Sequence, residues 1–211
     1  RRVICIGNFI EKTYRVCCDR VLVGAVEKMN IPERPRDGLV FVGRVESDTG
    51  VISYLDVLQN LELNHGVRTH LTVCGGGTLE LELVSRAEEI SVDLRLKGVV
   101  AEPSEIVGSA QVCLAGGFLS ILEAMSLGVP VVALAETELK WRYYLSMKSA
   151  GGPISIQTTP EGVAQEIDRL LTNPSLNQYI STKGKNFAST LTWERIILEY
   201  LTLWTVGEPR T

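Results

Sequence analysis

A few residues in this chain have the type and spacing to hold a phosphorylated ligand. Arg44 follows directly on Gly43 and the apolar run LVFV. A guanidinium in that place can grip a diphosphate through two parallel hydrogen bonds, or it can pair with nearby Glu46 or Asp48. Further on, GGFLSILEAMSLGVPVV opens with Gly116 and Gly117, adds Phe118, Leu119 and Ser120, and carries a single acid, Glu123, in an otherwise apolar stretch. A helix beginning after the two glycines would expose first-turn N–H groups with no partner in the helix, and the positive end of its dipole would favour a phosphate. Ser120 could add a hydroxyl. Ser120 and Glu123 also match the S-x-x-E capping box, in which the acid bonds back to the cap residue. Glu123 therefore has two readings on this segment, a helix cap or an acceptor for the hydroxyls of a bound ribose.

Other chemistries find little support. No G-x-S-x-G, P-loop or H-E-x-x-H occurs, and GGGTLE has Glu80 where the last glycine of a dinucleotide fingerprint belongs. His65 and His70 lack triad partners at a recognisable spacing and read as structural. A net charge of −4 gives no electrostatic case for nucleic acid or an anionic membrane. The five cysteines, Cys5, Cys17, Cys18, Cys74 and Cys113, have no metal-ligand spacing, and their odd number suits reduced thiols in a cytoplasmic protein. No apolar run approaches the roughly 20 residues of a membrane helix.

The elements that must carry these residues alternate. β-branched runs at 39–43, 69–74, 92–98, 110–114 and 130–134 are separated by helical patterns near 52–63, 79–89, 103–110 and 120–128, the order of βαβ units around a parallel sheet. Four of these strands end in glycine-bearing turns, at Gly43, Gly75 to Gly77, Gly98 and Gly116-Gly117. Each glycine can serve a tight turn; together they suggest a backbone that approaches a ligand at the carboxyl edge of the sheet. Beyond them, 138–149 reads as a helix bearing LKWRYYLSM, GGPISI as a turn into a short strand, and 160–171, 174–189 and 193–204 as helices. LKWRYYLSM could form part of a substrate wall, but packing of an amphipathic helix is the simpler expectation. VICIGNF reads as a strand and turn, and IPERPRD as a linker.

FVGRVESDTG, LTVCGGG, LKGVV, GGFLSILEAMSLGVPVVAL and LTWERIILEYLTLW, in that order, resemble the donor-binding half of GT-B glycosyltransferases, most closely the retaining family-4 (group 1) type. The resemblance covers about 38–204. It implies an α/β fold, a Rossmann-like doubly wound parallel sheet with C-terminal helices. It divides the chain into an N-terminal strand and linker (1–36), a nucleotide-sugar domain (37–190) and a crossover helix and tail (191–211). By the same resemblance Gly43 and Arg44 face the diphosphate, with Arg44 assisting catalysis. Gly116, Gly117, Phe118 and Leu119 form the turn that holds the distal phosphate and sugar, Glu123 binds ribose hydroxyls, and Val99 borders the nucleobase. The resemblance favours the ribose over the cap for Glu123.

Two positions depart from the family pattern. Thr49 stands where lysine is usual, and Ala115 where the first glutamate of E-x7-E is usual. The implied reaction is transfer of a hexose from a nucleoside-diphosphate sugar to an unknown acceptor, with no cofactor and no required metal. The alternative expectation is a degenerate, non-catalytic donor domain that binds or regulates a partner transferase. The implied partners are the nucleotide-sugar and an N-terminal acceptor domain of the same protein, without which transfer should be weak. Nucleic acid is not expected, and membrane association would come only through the missing half.

Overall fold

The run Leu39-Val40-Phe41-Val42 is apolar throughout because both of its faces are covered. In the computed structural model, which describes residues 2–205 apart from 28, 30, 32 and 33, it forms the central strand β3 (Leu39–Val42). Leu39 and Phe41 enter the core on one face of the sheet and Val40 the core on the other, as the two-residue period of a strand requires. Two residues of the expected linker, Pro32 and Glu33, and the tail 206–211 lie outside the described residues.

Before β3, the chain makes β1 (Ile4–Ile6), α1 (Phe9–Tyr14) and β2 (Arg20–Leu22), with β1 and β2 paired in parallel as a separate two-stranded sheet. After it come α2 (Ser53–His65), β4 (His70–Cys74), α3 (Glu80–Glu89), β5 (Asp93–Gly98) and α4 (Ser104–Gly108). The second half holds β6 (Val112–Leu114), α5 (Phe118–Ser126), β7 (Val131–Leu134), α6 (Glu138–Ser149) and β8 (Ile154–Gln157). Three helices close the described chain: α7 (Pro160–Thr172), α8 (Pro174–Ser189) and α9 (Trp193–Thr205).

The larger sheet is all parallel, in the order β5-β4-β3-β6-β7-β8. The chain builds outward from β3 in one direction, returns, and builds outward from β6 in the other. The expected doubly wound Rossmann-like fold is therefore present, and its switch point lies between β3 and β6. On one face α2 and α7 cover Leu39, Phe41, Leu71 and Leu114; on the other α5, α6 and α8 cover Val40, Cys113 and Ala115. Tyr54 of α2 is fully buried, and its hydroxyl donates to the Ala115 carbonyl (2.9 Å) and accepts from the Leu134 N–H (3.2 Å). Tyr144 of α6 donates to the same carbonyl from the opposite face (3.0 Å). Two buried hydroxyls thus fix the end of β6 where the glycine turn begins.

VICIGNF forms the expected strand and turn, β1 followed by Gly7 and Asn8, and α1 beyond it packs on α6, with the Phe9 N–H donating to Ser146 Oγ (3.0 Å). One expectation needs correction here. The cysteines are not all reduced, since Cys5 and Cys18 form a disulfide. Pairing of β1 with β2 brings two residues 13 apart in sequence to a Cα separation of 5.9 Å, within the usual range for a disulfide. Cys74 and Cys113 remain free thiols.

Candidate functional site

Gly116 lies at the switch point, and a Cβ there would stand 2.7 Å from the Val42 carbonyl oxygen, so the ends of β3 and β6 can approach only with glycine in that place. In front of them opens a cavity of about 950 Å³, within the size range of small-molecule sites. Its walls include Gly43, Arg44, Gly116, Gly117, Phe118, Leu119, Ser120 and Glu123. Eight of the nine expected site residues are therefore brought together. Val99 is not among them: it lies at the end of β5, 87% exposed, and Pro103 is the residue of that loop that reaches the cavity.

Helix α5 starts one turn earlier than the capping-box reading requires. Its N-cap is Gly117, in extended backbone, and Ser120 is the third helical residue. Ser120 Oγ accepts from the Gly117 N–H (3.2 Å) and donates to the Gly117 carbonyl (3.0 Å). Ser120 thus caps the turn by itself, and Glu123 lies in the second turn, out of reach of a cap. Glu123 is partly buried, and among the described residues its carboxylate accepts no hydrogen bond and forms no ion pair. Burial raises its pKa.

The first-turn donors are divided. Tyr143 of α6 lends its hydroxyl to the Phe118 N–H (2.8 Å), and its ring stacks on Phe118 with centroids 4.1 Å apart. Burial raises the Tyr143 pKa, partly offset by that N–H, so the hydroxyl stays neutral. Leu119 and Ser120 keep N–H groups with no acceptor among the described residues, and these form the positive end of α5. Phe9 stands edge-on to both Phe118 and Tyr143, and Ile6, Phe9 and Ile10 complete the wall.

Arg44 holds Asp48 at 2.8 Å, and both side chains are largely exposed. Glu46, the other candidate partner, instead accepts from the Thr78 N–H (2.9 Å) and hydroxyl (2.6 Å), contacts that lower its pKa. Thr49 is buried and bonds the Glu46 carbonyl (2.7 Å). Ala115 is fully buried beneath the two tyrosine hydroxyls, so its side chain belongs to the core. Lys140 of α6 lines the cavity, partly buried, with its ammonium 5.8 Å and 5.6 Å from the Tyr143 and Tyr144 ring centroids. LKWRYYLSM therefore does both jobs considered for it. Tyr144, Ser146 and Met147 pack inward, while Lys140 and Tyr143 face the cavity. Their i, i+3 spacing on a helix was the available sign that they share a face.

A sequence model of the family described as glycosyl transferases group 1 matches residues 36–173. The chain belongs to that family. No curated protein sequence matches it. Among solved structures, Staphylococcus aureus TarM in complex with UDP superposes with a TM-score of 0.78 at 16% identity, over 97% of this chain and 44% of TarM. The pneumococcal O-GlcNAc transferase GtfA, with UDP and GlcNAc, gives 0.74 at 13%, over 95% of this chain and 44% of GtfA. WaaG, a glycosyltransferase of lipopolysaccharide biosynthesis, gives 0.73 at 17%, over 98% and 63%. The fold of this group 1 glycosyltransferase chain is that of the GT-B C-terminal domain, and the chain spans less than half the length of TarM and GtfA. Among its described helices none is long and apolar enough to cross a membrane.

Proposed function

We propose that this chain is the donor-binding domain of a retaining glycosyltransferase that takes a hexose from a nucleoside-diphosphate sugar. The observation that carries the reading is the cavity at the switch point. It joins an unpartnered, desolvated carboxylate, Glu123, to a helix N-terminus with free donors and a guanidinium across from it. Residues 37–190 form the donor unit in this proposal, 1–36 its N-terminal flank and 191–211 the crossover to an acceptor-binding half.

In the proposed complex Glu123 accepts hydrogen bonds from the ribose hydroxyls, which restores the partners its burial removed. The Leu119 and Ser120 N–H groups hold a phosphate at the positive end of α5. Arg44 stabilises the charge that gathers on the diphosphate as the glycosidic bond breaks, a contribution larger in the transition state than in the ground state. Gly43, Gly116, Gly117 and Phe118 shape the wall against the sugar and phosphates, and Val99 lies on the nucleobase side, beyond Pro103. In the retaining scheme the acceptor hydroxyl attacks from the face that the diphosphate leaves. No residue here is assigned as a metal ligand.

Equilibrium titration of the chain with UDP, GDP and ADP tests this reading. Saturable binding of one nucleotide supports it, and no binding of any would refute it. A cytoplasmic location is part of the proposal. Disulfides are rare in that compartment. Thiol alkylation of freshly lysed cells before intact-mass measurement decides: alkylated Cys5 and Cys18 mean that the pair is open in the cell and support the location, and an unalkylated, disulfide-bonded pair contradicts it.

A further inference from the structure

The cavity walls carry three carboxylates, Asp48, Glu123 and Glu136, against two cations, Arg44 and Lys140. Arg44 spends part of its charge on Asp48 at 2.8 Å. A diphosphate entering this space would meet a wall whose balance is negative unless the remaining cation turns toward it. Lys140 is that cation. Its backbone N–H is held by Thr137 Oγ1 (3.2 Å) in the first turn of α6, directly beyond β7, and the turn aims the side chain into the cavity. Among the described residues its ammonium has no hydrogen bond and no ion pair; it rests only over the Tyr143 and Tyr144 rings. It lies within electrostatic reach of both Arg44 and Asp48. A partly buried ammonium with no anion in contact is short of hydrogen-bond acceptors, and a bound anion would supply them.

We propose that Lys140 supplies the second positive charge of the diphosphate site, opposite Arg44. The inference rests on the donor-binding reading above and deepens it, because it assigns the charge of that site to a helix carrying none of the residues that the sequence singled out. The aromatic platform positions the ammonium without neutralising it, so its three donors stay available for phosphate oxygens. Thr49, buried and bonded to the Glu46 carbonyl, offers no charge on its side of the cavity. The second positive charge thus comes from α6.

The test is calorimetric titration of the chain with UDP and with inorganic pyrophosphate, for wild type, Lys140→Met and Lys140→Arg. Methionine keeps the apolar stem over the rings, and thermal melts verify that each variant is folded. Loss of a charge-assisted contact predicts about a 10- to 100-fold weaker affinity for both probes in Lys140→Met, with most of it restored in Lys140→Arg. Equal affinities in Lys140→Met and wild type would overturn the proposal and leave the donor site standing. Equal weakening in both variants would assign Lys140 to packing and overturn it as well. Wild-type protein that binds neither probe would remove the donor-site reading and this inference with it.

Discussion

The loops after β4 and after β6 each run from a buried strand through glycines into a helix, and each presents that helix's N-terminus at the same edge of the sheet. The loop into α3 is closed by the protein's own acids: Glu80 accepts from the Gly77 N–H (2.9 Å), and Glu46 takes the N–H and hydroxyl of Thr78. Its glycines are required by the protein itself, since a Cβ on Gly75 would collide with the Gly43 carbonyl and one on Gly77 with the Val45 carbonyl. The loop into α5 has no acid of its own within reach. Neutral hydroxyls of Ser120 and Tyr143 take the first two N–H groups, the next two are open, and the nearest carboxylate faces the cavity. A helix N-terminus is open to an anionic ligand only where the fold leaves its positive end without an internal anion, and here the open end lies at the switch point and the closed one a strand away.

Glycine replacement should split the two loops most widely. Gly75→Ala combines a backbone φ of +153° with a backbone collision and should cost about 3–5 kcal/mol, read in a urea melt. Gly117→Ala has extended backbone and its nearest neighbour, the Tyr143 hydroxyl, at 3.6 Å, so its stability should change by less than about 1 kcal/mol. Equal costs would erase the distinction. The support beneath the open loop comes next. Tyr54→Phe strands the Leu134 N–H inside the core and should cost about 1–3 kcal/mol, whereas the Ala115 carbonyl keeps Tyr144. A smaller effect is expected at the loop itself. Tyr143→Phe returns the Phe118 N–H to the cavity and should tighten binding of inorganic pyrophosphate by about 3- to 10-fold. Weaker binding would mean that the hydroxyl serves the ligand directly.

The sheet was legible because its inner strands β3, β6 and β7 are apolar on both faces, and α7 and α8 carry clear start signals, Thr159 with Pro160 and Asn173 with Pro174. Gly43, Arg44 and the 116–123 segment were legible because a switch point needs close backbone and a free helix end. Three things were not. The S-x-x-E match at Ser120 and Glu123 misplaced the start of α5 by a turn, since glycine takes the extended N-cap as readily as serine. The wall from Ile6, Phe9 and Ile10 depends on α1 docking against α6, a contact between residues 137 apart in sequence that no local pattern encodes. The Cys5–Cys18 pair depends on the parallel pairing of β1 and β2, which spacing alone does not give.

The central claim is that Glu123 waits for a ligand and does not cap its helix. Folding raises its pKa, so the folded state binds protons more tightly than the unfolded chain, and stability falls as pH rises through the folded value. The decisive measurement is the thermal denaturation of wild type and Glu123→Gln at neutral pH and below the carboxylate range, with and without UDP, GDP or ADP. The account predicts a higher Tm for Glu123→Gln at neutral pH without nucleotide, convergence with wild type in acid, and a smaller rise on adding nucleotide. A lower Tm for Glu123→Gln with an undiminished response to nucleotide would contradict it.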